Sequence, residues 1–445
     1  MATVSSPGPA PSGWDTVPAI LARIIPPIIP ERVVTITDHG AVSGGVSDCR
    51  TAIVAAISAC AQAGGGRVLV PAGTWLCNGP LQLVSGIDLH LAAHSVIRFG
   101  TDPDDYLVGD PAVGGGVLMG WEGTPIYNYS PLVYAFRQHG IAITGTGTLD
   151  GQAEHGWCAW KQRQETAQLS TRAMNHAQVP IRRRIFGRGH FLRPTFIEPY
   201  ECTDILIEGV TVKGSPFWTI HPNRCSNVTV RNVTIEPGTT NDDGIDPDAC
   251  TDVLIEDCRL TTADDNIALK AGRDQDGWAV HGGLPCQNIV IRRCTFARGA
   301  PGGISLGSEM SGDIRNVFVE DCTMVDAERP FYLKSNPERG GVIAGFWARD
   351  IVVARCTTLL TCEMDYKQVA SGAHLPRFQE LYLERMTCAS AAAVFVLQGL
   401  ADSPISGVTL SAITVASASN VSTIRHVDDV RITDVTVNGQ DLTTG

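Results

Sequence analysis

Apolar and polar residues alternate with a period of two in a short segment that recurs through the second half of the chain. Most copies begin with Asn or Asp, continue as apolar, any and apolar, and end after two mostly polar residues with Cys or Val. Successive starts lie 22 to 36 residues apart, so the strand is regular while the loops vary in length. The nine copies begin at Asp204, Asn227, Asp252, Asn288, Asn316, Asp350, Glu380, Gly407 and Asp429.

A unit of this size cannot bury its own apolar face, so the copies must stack on one another. The repeat therefore predicts an all-β fold, a right-handed parallel β-helix, and weaker copies at Gly86 and Gly140 extend it towards the N terminus. Cysteines recur at the seventh place of the repeat. We expect them to form a buried ladder of small apolar side chains, because no Cys and His residues show zinc-like spacing. They are Cys258, Cys294, Cys322 and Cys356.

Residues 32–66 predict a cap for the N-terminal end of this stack. A strand starts at Arg32, and a helix runs from Ser47 to Gln62 with Ser47 or Asp48 as N-cap and a run of glycines as its stop. Ile53, Val54, Ile57 and Cys60 follow helical spacing and predict its buried face.

The rest of the chain is predicted as one domain, residues 32–445, with long loop insertions at 102–200. Residues 1–31, rich in Pro and Ala, predict an extended arm on the surface. The first 14 residues have no basic segment followed by an apolar one, so we expect a secretory signal to be absent or already removed.

Composition narrows the classes of partner. No run of about 18 apolar residues occurs, so no membrane span is expected. The net charge of -12 argues against a nucleic-acid partner and makes binding of an acidic ligand depend on local basic residues. One such patch is the run Ile181 to His190 with Arg193, which could equally be a solvated charge run.

Two aspartate-rich segments carry the candidate chemistry, Asn241 to Asp246 and Ala263 to Gly272. With Ile245 and Ile267 aligned as inward residues, Asp243 stacks on Asp265 and Asp242 on Asp264, about 4.8 Å apart on neighbouring parallel strands. Aspartates are also common turn residues. Two pairs in register favour a function, since like-charge crowding costs stability and raises pKa values. The same inward row continues to Ile304 and Phe331.

Glycosidic bond cleavage fits this cluster. One carboxyl group must be protonated to supply the leaving oxygen with a proton, and another must be ionised to activate water. Neighbouring carboxylates push their pKa values apart and so create both species. An inverting mechanism needs about 6.5–9.5 Å between the acid and base carboxyl groups. We expect this distance between two carboxylates placed diagonally on adjacent strands.

The chain resembles glycoside hydrolase family 28, the polygalacturonases and their relatives in the pectin lyase-like β-helix superfamily, over nearly all of Val33 to the end. The resemblance is to the bacterial branch described as exo-acting. The motifs that carry it are YNYSPLVYAF at Tyr127, GTGTLDGQ at Gly145, FGRGHFLRPTFI at Phe186, SPFWTIHP at Ser215, GRDQDGW at Gly272 and GSEMSG at Gly307.

This resemblance implies roles for four residues. Asp243 and Asp265 would orient the attacking water, Asp264 would be the general acid, and Lys334 would contact the substrate. No cofactor or metal is implied.

Two residues depart from the family pattern. Pro301 stands where a histidine is expected beside Asp264, and Tyr332 replaces an arginine, so that a phenol able to stack on a sugar takes the place of a guanidinium. We therefore expect a substrate other than plain homogalacturonan. Asp242 is a third carboxylate near Asp264 and should raise its pKa further.

Further substrate contacts are predicted at Asn241, Asp242, Asp246 and His221. His221 aligns with Asp246 one coil earlier, with packing as an equal alternative. Aromatic residues of the insertions could stack on sugars or block one end of a cleft, which would enforce exo action. They are Trp121, Tyr127, Tyr129, Trp157 and Trp160.

The function predicted from sequence is an inverting, exo-acting glycoside hydrolase for a pectin-related poly- or oligosaccharide. Two alternatives stay open, a carbohydrate-binding β-helix without activity and a polysaccharide lyase whose acidic cluster binds calcium. We expect a monomer that is secreted or periplasmic, with a cytoplasmic location also open.

Overall fold

The computed structural model describes residues 13–442, which form a right-handed parallel β-helix. Named strand pairs are parallel except for β7 with β8 and β28 with β29. Within the described residues, no helix is long and apolar enough to cross a membrane. The α-helices of the described residues are α1 Val17–Leu21, α2 Arg50–Gln62, α3 Glu165–His176 and α4 Asp274–Gly277.

Short strands build the N-terminal half of the stack. They are β1 Val33–Thr35, β2 Gly66–Val70, β3 Gly73–Cys77, β4 Leu81–Gln82, β5 Ile87–Leu91, β6 Ser95–Phe99, β7 Val117–Trp121, β8 Thr124–Asn128, β9 Val133–Phe136, β10 His139–Gly145, β11 Thr148–Asp150, β12 Ile197–Tyr200, β13 Thr203–Glu208, β14 Thr211–Lys213, β15 Ser226–Arg231 and β16 Thr234–Ile235.

Strands become longer towards the C terminus, where they run around the corners of the coil. They are β17 Thr251–Glu256, β18 Arg259–Thr261, β19 Ile267–Leu269, β20 Cys286–Arg292, β21 Thr295–Gly307, β22 Ile314–Glu320, β23 Thr323–Lys334, β24 Val342–Glu363, β25 Arg377–Gln398, β26 Ile405–Val415, β27 Ala418–Arg425, β28 Val427–Val437 and β29 Gln440–Asp441.

The first residue of the predicted repeat is the corner that opens each coil. At Asp204, Asn227, Asp252 and Asn288 the backbone is left-handed, with φ between 54° and 59°, a conformation in which Asn and Asp are enriched. Their side chains also stack, because Asn227 Nδ2 donates to Asp204 Oδ1 at 2.6 Å and Asn288 Nδ2 donates to Asp252 Oδ1 at 2.9 Å. The repeat therefore encodes a turn as well as a strand.

The inward row predicted from the aspartate segments is confirmed. Ile245 pairs with Ile267, Ile267 with Ile304, and Ile304 with Phe331, and all four side chains are fully buried. This register fixes which residues of neighbouring coils meet on the outer face. The cysteines at the seventh place of the repeat are buried in the same core, as predicted.

The N-terminal cap differs from its prediction in detail. Helix α2 begins at Arg50 with Cys49 as N-cap, not Ser47 or Asp48. Asp48 Oδ1 instead accepts hydrogen bonds from the backbone N–H groups of Arg50 and Asn78, which joins the helix start to the next strand. Val54 is 37 % exposed and does not belong to the buried face.

Part of the predicted arm is helical. Residues 13–21 form a short 3-10 turn and α1, so the extended prediction fails there, while residues 1–12 lie outside the described residues. Val17, Ile20 and Ile24 pack against the flank of the stack, and Arg23 pairs with Asp252. The predicted loop region 102–200 also contains true coil strands, β9 to β12.

Candidate active site

A cleft lies over the outer face of the coils that carry the two aspartate segments. Its floor includes Asp243, Asp264 and Asp265, which the register of Ile245 on Ile267 brings together. One wall comes from the insertion before β12, and the other from the loops after β21, β23 and β24. The wall residues include Glu122, Lys161, Gln168, Arg172, Pro301, Ser308, Glu309, Arg339, Tyr366 and Lys367.

The three aspartates form one compact group. One oxygen of each lies within 4.8 Å of the other two. These nearest oxygens are closer together than the about 6.5–9.5 Å expected from the sequence between the acid and base carboxyl groups. The stacking that brought Asp243 beside Asp265 places all three carboxylates closer than a diagonal would.

Asp264 has the surroundings of a proton donor. It is half-buried, and burial and the neighbouring Asp265 raise its pKa to about 6. Oδ1 accepts from the backbone N–H of Asp265 at 2.9 Å, and Oδ2 accepts from Asn241 Nδ2 at 3.2 Å. The carboxyl group is thus held in place and keeps a proton at mildly acidic pH.

Asp265 is held as an ion pair. The Lys334 ammonium donates to Asp265 Oδ2 at 2.8 Å, and both side chains are buried. Asp265 Oδ1 accepts no hydrogen bond from any described residue, although it is buried. Asp264 and Asp265 therefore provide, on adjacent residues, a protonated carboxyl group and a carboxylate with a free oxygen.

Asp243 belongs to a buried charge cluster around Lys270. The ammonium lies 3.3 Å from Asp243, 3.8 Å from Asp246 and 3.9 Å from Glu309. Burial and Asp246 raise the pKa of Asp243, against Lys270, and burial raises the pKa of Asp246 to about 7. Sequence reasoning missed Lys270 as a functional residue, although it lies in the second aspartate segment.

Asn241 is fixed from the insertion wall. Its Oδ1 accepts from Lys161 Nζ at 2.7 Å and from Arg193 Nη2 at 2.9 Å, which leaves Nδ2 to donate to Asp264. The predicted basic patch therefore reaches the site only through Arg193. Arg184 is instead buried against Asp276, and Arg182 and Arg183 are exposed outside the cleft.

The carboxylate trio could also hold a cation, since one oxygen of each is available within 4.8 Å. Calcium prefers six to eight oxygen ligands. Here the ammonium groups of Lys334 and Lys270 already neutralise Asp265 and Asp243. The carboxylate oxygens of the three aspartates are therefore better explained as partners of lysines than as ligands of a metal ion.

The profile of glycosyl hydrolases family 28 matches residues 187–438, more than half of the chain. The chain belongs to this family. It is a glycoside hydrolase, as the sequence predicted.

Individual relatives of this family 28 chain are similar over most of its length. A hyperthermoactive exopolygalacturonase from Thermotoga maritima is 33 % identical, with a TM-score of 0.91 and 96 % of each chain covered. A probable polygalacturonase from Vitis vinifera is 29 % identical over 395 residues, which cover 86 % of this chain and 74 % of that protein. A polygalacturonase from Erwinia carotovora ssp. carotovora shares the fold, with 22 % identity, a TM-score of 0.68 and coverage of 92 % and 98 %.

Four residues predicted to bind substrate do not line the cleft of this family 28 chain, namely His221, Asp246, Tyr332 and Asp242. His221 is fully buried, 3.5 Å from Glu198 and 3.6 Å from Asp248; although burial opposes its charge, these carboxylates raise its pKa to about 10. Asp246 is buried beneath the floor. The sequence correctly predicted that His221 lies one coil before Asp246. Both side chains are buried and do not line the cleft.

Tyr332 is the third predicted substrate-binding residue that does not line the cleft. It is only 5 % exposed, and its hydroxyl donates to Glu363 at 2.6 Å, so its ring is not presented for stacking on a sugar. Pro301 does line the cleft, next to Gly302. A Cβ at Gly302 would lie 2.6 Å from Asp265 Oδ1, so a larger residue there would displace the free carboxylate oxygen.

The predicted aromatic platforms are also mostly core. Trp121, Tyr129, Trp157 and Trp160 are buried, and the last three pack edge to face with one another. Their apolar contacts hold the insertion together behind the cleft. The insertion presents polar side chains, not tryptophan faces, to the site.

Asp242 is a structural carboxylate. It is buried, and it accepts hydrogen bonds from the backbone N–H groups of Gly238, Ala263 and Asp264 at 2.7, 2.8 and 3.1 Å. These bonds tie the two aspartate segments together. The hypothesis that Asp242 raises the pKa of Asp264 finds no support in this arrangement, because its charge is directed at amides.

We expect Asp242→Asn to leave the pH dependence of activity unchanged and to lower the free energy of unfolding by about 1–3 kcal/mol, since the amide group meets backbone donors that need an acceptor. Denaturant unfolding and a pH–rate profile measure the two effects. A displaced alkaline limb with unchanged stability would restore the sequence-based hypothesis.

Proposed function

We propose that the chain hydrolyses a pectin-related oligo- or polysaccharide from its end, with Asp264 as general acid and Asp265, assisted by Asp243, as the base that activates water. The observation that carries this proposal is the pairing of a half-buried Asp264, whose pKa is about 6, with the Asp265–Lys334 ion pair on the same cleft floor. The names of the relatives from Thermotoga maritima and Vitis vinifera support the substrate class.

The reaction proceeds by transfer of two protons. Asp264 gives its proton to the glycosidic oxygen as the bond from the anomeric carbon to that oxygen breaks. A water molecule on Asp265 loses its proton to the carboxylate as its oxygen bonds to the anomeric carbon. The products are one free sugar end and one hydroxyl group, and proton exchange with solvent restores both carboxyl groups.

The insertion wall of the cleft supports attack at a chain end. Lys161 and Arg172 of the insertion line the same cleft as the aspartates, and behind the cleft lining Asn175 of α3 donates to the backbone carbonyl of Arg273 at 2.8 Å. Such a wall limits how far a polymer can extend past the cleaved bond. The relative from Thermotoga maritima is described as an exopolygalacturonase, which agrees with this reading.

Product analysis on oligogalacturonides labelled at the reducing end tests this proposal. We expect the labelled chain to shorten by one terminal unit at a time, with little loss of viscosity when a long polymer is the substrate. Random internal fragments would contradict exo action. A panel with rhamnogalacturonan and substituted galacturonan tests the sequence-based expectation of a substrate other than plain homogalacturonan.

The same digests separate hydrolysis from the alternatives. Elimination by a lyase would give unsaturated products that absorb in the ultraviolet, and it would depend on calcium. Hydrolysis gives products without this absorbance and is expected to proceed without calcium. Absence of any product across the panel would favour a binding protein. Proton NMR of the first product shows the anomer formed; we expect inversion, and retention would contradict the single displacement. Secretion and a monomeric state remain predictions.

A further inference from the structure

A buried histidine beneath the insertion wall takes no part in the proposed proton transfers. The register of the coils places His221 beside Glu198 of the preceding coil, and Asp248 lies on the following coil. All three side chains are at most 1 % exposed. His221 Nδ1 lies 3.5 Å from Glu198 Oε2, and Nε2 lies 3.6 Å from Asp248 Oδ2. Burial opposes the charge of the imidazole, but the two carboxylates raise its pKa to about 10.

His221 is the shared counter-ion of these two carboxylates. Among the described residues, no other basic side chain lies within 4.0 Å of Glu198 or Asp248. A buried carboxylate that loses its counter-ion is strongly unfavourable and either takes up a proton or draws in water. The ion triad of Glu198, His221 and Asp248 therefore depends on the imidazole.

Each carboxylate of the triad also holds one segment of the cleft wall. Glu198 Oε1 accepts a hydrogen bond at 2.7 Å from the backbone N–H of Gly120, which lies on β7 in the insertion. Asp248 Oδ1 accepts a hydrogen bond at 2.8 Å from the backbone N–H of Gly272, in the loop after β19. Hydrogen bonds to an ionised acceptor are stronger than those between neutral groups. One buried histidine thus organises the attachment of two wall segments.

The hairpin of β7 and β8 lies directly on His221. A Cβ atom at Gly120 would lie 3.1 Å from His221 Cε1 and 2.1 Å from Asn223 Nδ2, so only glycine allows this approach. At the hairpin turn, the backbone carbonyl of Gly123 accepts from the N–H of Arg273 at 3.0 Å. Because Arg273 follows Gly272, the hairpin, the loop and the ion triad form one closed ring of contacts.

His221 also supports the floor of the cleft. Its ring packs edge to face with Trp218, with 4.9 Å between the ring centroids, and Trp218 lines the cleft. The Lys270 ammonium lies 4.1 Å from the centroid of the Trp218 ring and 3.3 Å from Asp243. A displacement of His221 would therefore reach both the wall and the floor of the site.

We propose that His221 is a positioning residue, which seats the β7–β8 hairpin and the loop at Gly272 on the coils and so fixes where the end of a bound saccharide chain stops relative to Asp264. The inference rests on the proposed exo action and assigns its control to the buried ion triad. Without the imidazolium, the two carboxylates release the backbone segments that they hold. The hairpin then no longer limits the chain at a fixed distance from the acid.

Amide hydrogen exchange of the free enzyme tests this seat without any substrate. In His221→Gln we expect the amides of Gly120 and Gly272 to exchange about 10- to 100-fold faster, because local opening becomes less costly. His90→Gln is the matched control, since His90 is a half-buried histidine of β5 that contacts Thr144 at 2.7 Å and does not line the cleft. The control should leave both amides unchanged. Unchanged exchange in His221→Gln would overturn the seat.

Product analysis tests the link between this seat and the substrate. On a long galacturonan, His221→Gln should release fragments of two or more units beside single units. Its turnover number should fall about 10- to 100-fold, because the chain is misplaced against the acid. Gly120→Ala displaces the hairpin without removing a charge and should change the products in the same way, so it tests the seat even if His221→Gln folds poorly.

Two failures can be told apart. Release of single units alone by both variants, at the rate of the unsubstituted enzyme, would overturn the role of His221 in fixing the chain end. Failure of the unsubstituted enzyme to release single units would instead overturn the proposed exo action, while the exchange rates would still decide whether His221 seats the hairpin.

Discussion

Asp264→Asn should lower the turnover number by about 10²- to 10⁴-fold, the usual contribution of a general acid. The asparagine Oδ1 can still accept the hydrogen bond from the backbone N–H of Asp265, so the side chain keeps this anchor, while the bond that Asp264 Oδ2 accepts from Asn241 is lost. A raised pKa means that the charged form of Asp264 is unfavourable in the folded protein. Replacing it with a neutral asparagine should therefore leave the melting temperature unchanged or higher. Initial rates on oligogalacturonides and a melting curve measure both effects.

The pH dependence supplies a second readout of the same substitution. Since the acid must be protonated, activity of the enzyme should fall as pH rises through about 6, where Asp264 loses its proton. The residual activity of Asp264→Asn should lack this alkaline limb. Asp326→Asn, an exposed aspartate paired with Arg355, is the control and should alter neither rate nor profile. A variant at Asp264 with full activity would exclude its assignment as the acid.

Lys270→Met should destabilise the fold by about 3–5 kcal/mol, because it leaves the buried carboxylates of Asp243 and Asp246 without their shared counter-ion. Denaturant unfolding measures this loss. The matched control is Lys213→Met. The Lys213 side chain is 41 % exposed and its ammonium lies 3.3 Å from Asp150, so this substitution should cost less than about 1 kcal/mol.

The pH dependence of this loss has a definite sign. Without Lys270, the pKa values of Asp243 and Asp246, already raised by burial, should rise further. Because both carboxyl groups are neutral below those values, the stability deficit should shrink as pH falls and grow as pH rises. A deficit that is independent of pH would show that packing of the lysine side chain, not its charge, stabilises the cluster.

The sequence predicted those parts of the molecule that follow from its repeat. Stacked coils place equivalent residues on neighbouring strands, so the row from Ile245 to Phe331 and the meeting of Asp243 with Asp265 could be read from spacing alone. Alternation did not reveal which polar side chains turn inwards. Asp246 and His221 follow the pattern of the cleft residues but are buried beneath it.

The walls of the site could not be predicted in this way. Arg172 lies on α3, 71 to 93 residues before the three aspartates with which it lines the cleft, and no periodicity of the sequence connects them. The insertion folds by its own apolar contacts, with Trp121 stacked on Phe217. Long-range packing of irregular segments therefore determines which cations line the site.

Dependence on the leaving group tests most directly whether Asp264 is the proton donor of a glycoside hydrolase. Nitrophenolate is a weak base, so the leaving oxygen of a nitrophenyl galacturonide needs little protonation. The leaving oxygen of a saccharide is strongly basic and must receive a proton from the acid. The account predicts that Asp264→Asn loses about 10²- to 10⁴-fold on oligogalacturonides and much less on the nitrophenyl substrate. An equal loss on both substrates would contradict the assignment of Asp264 as the general acid.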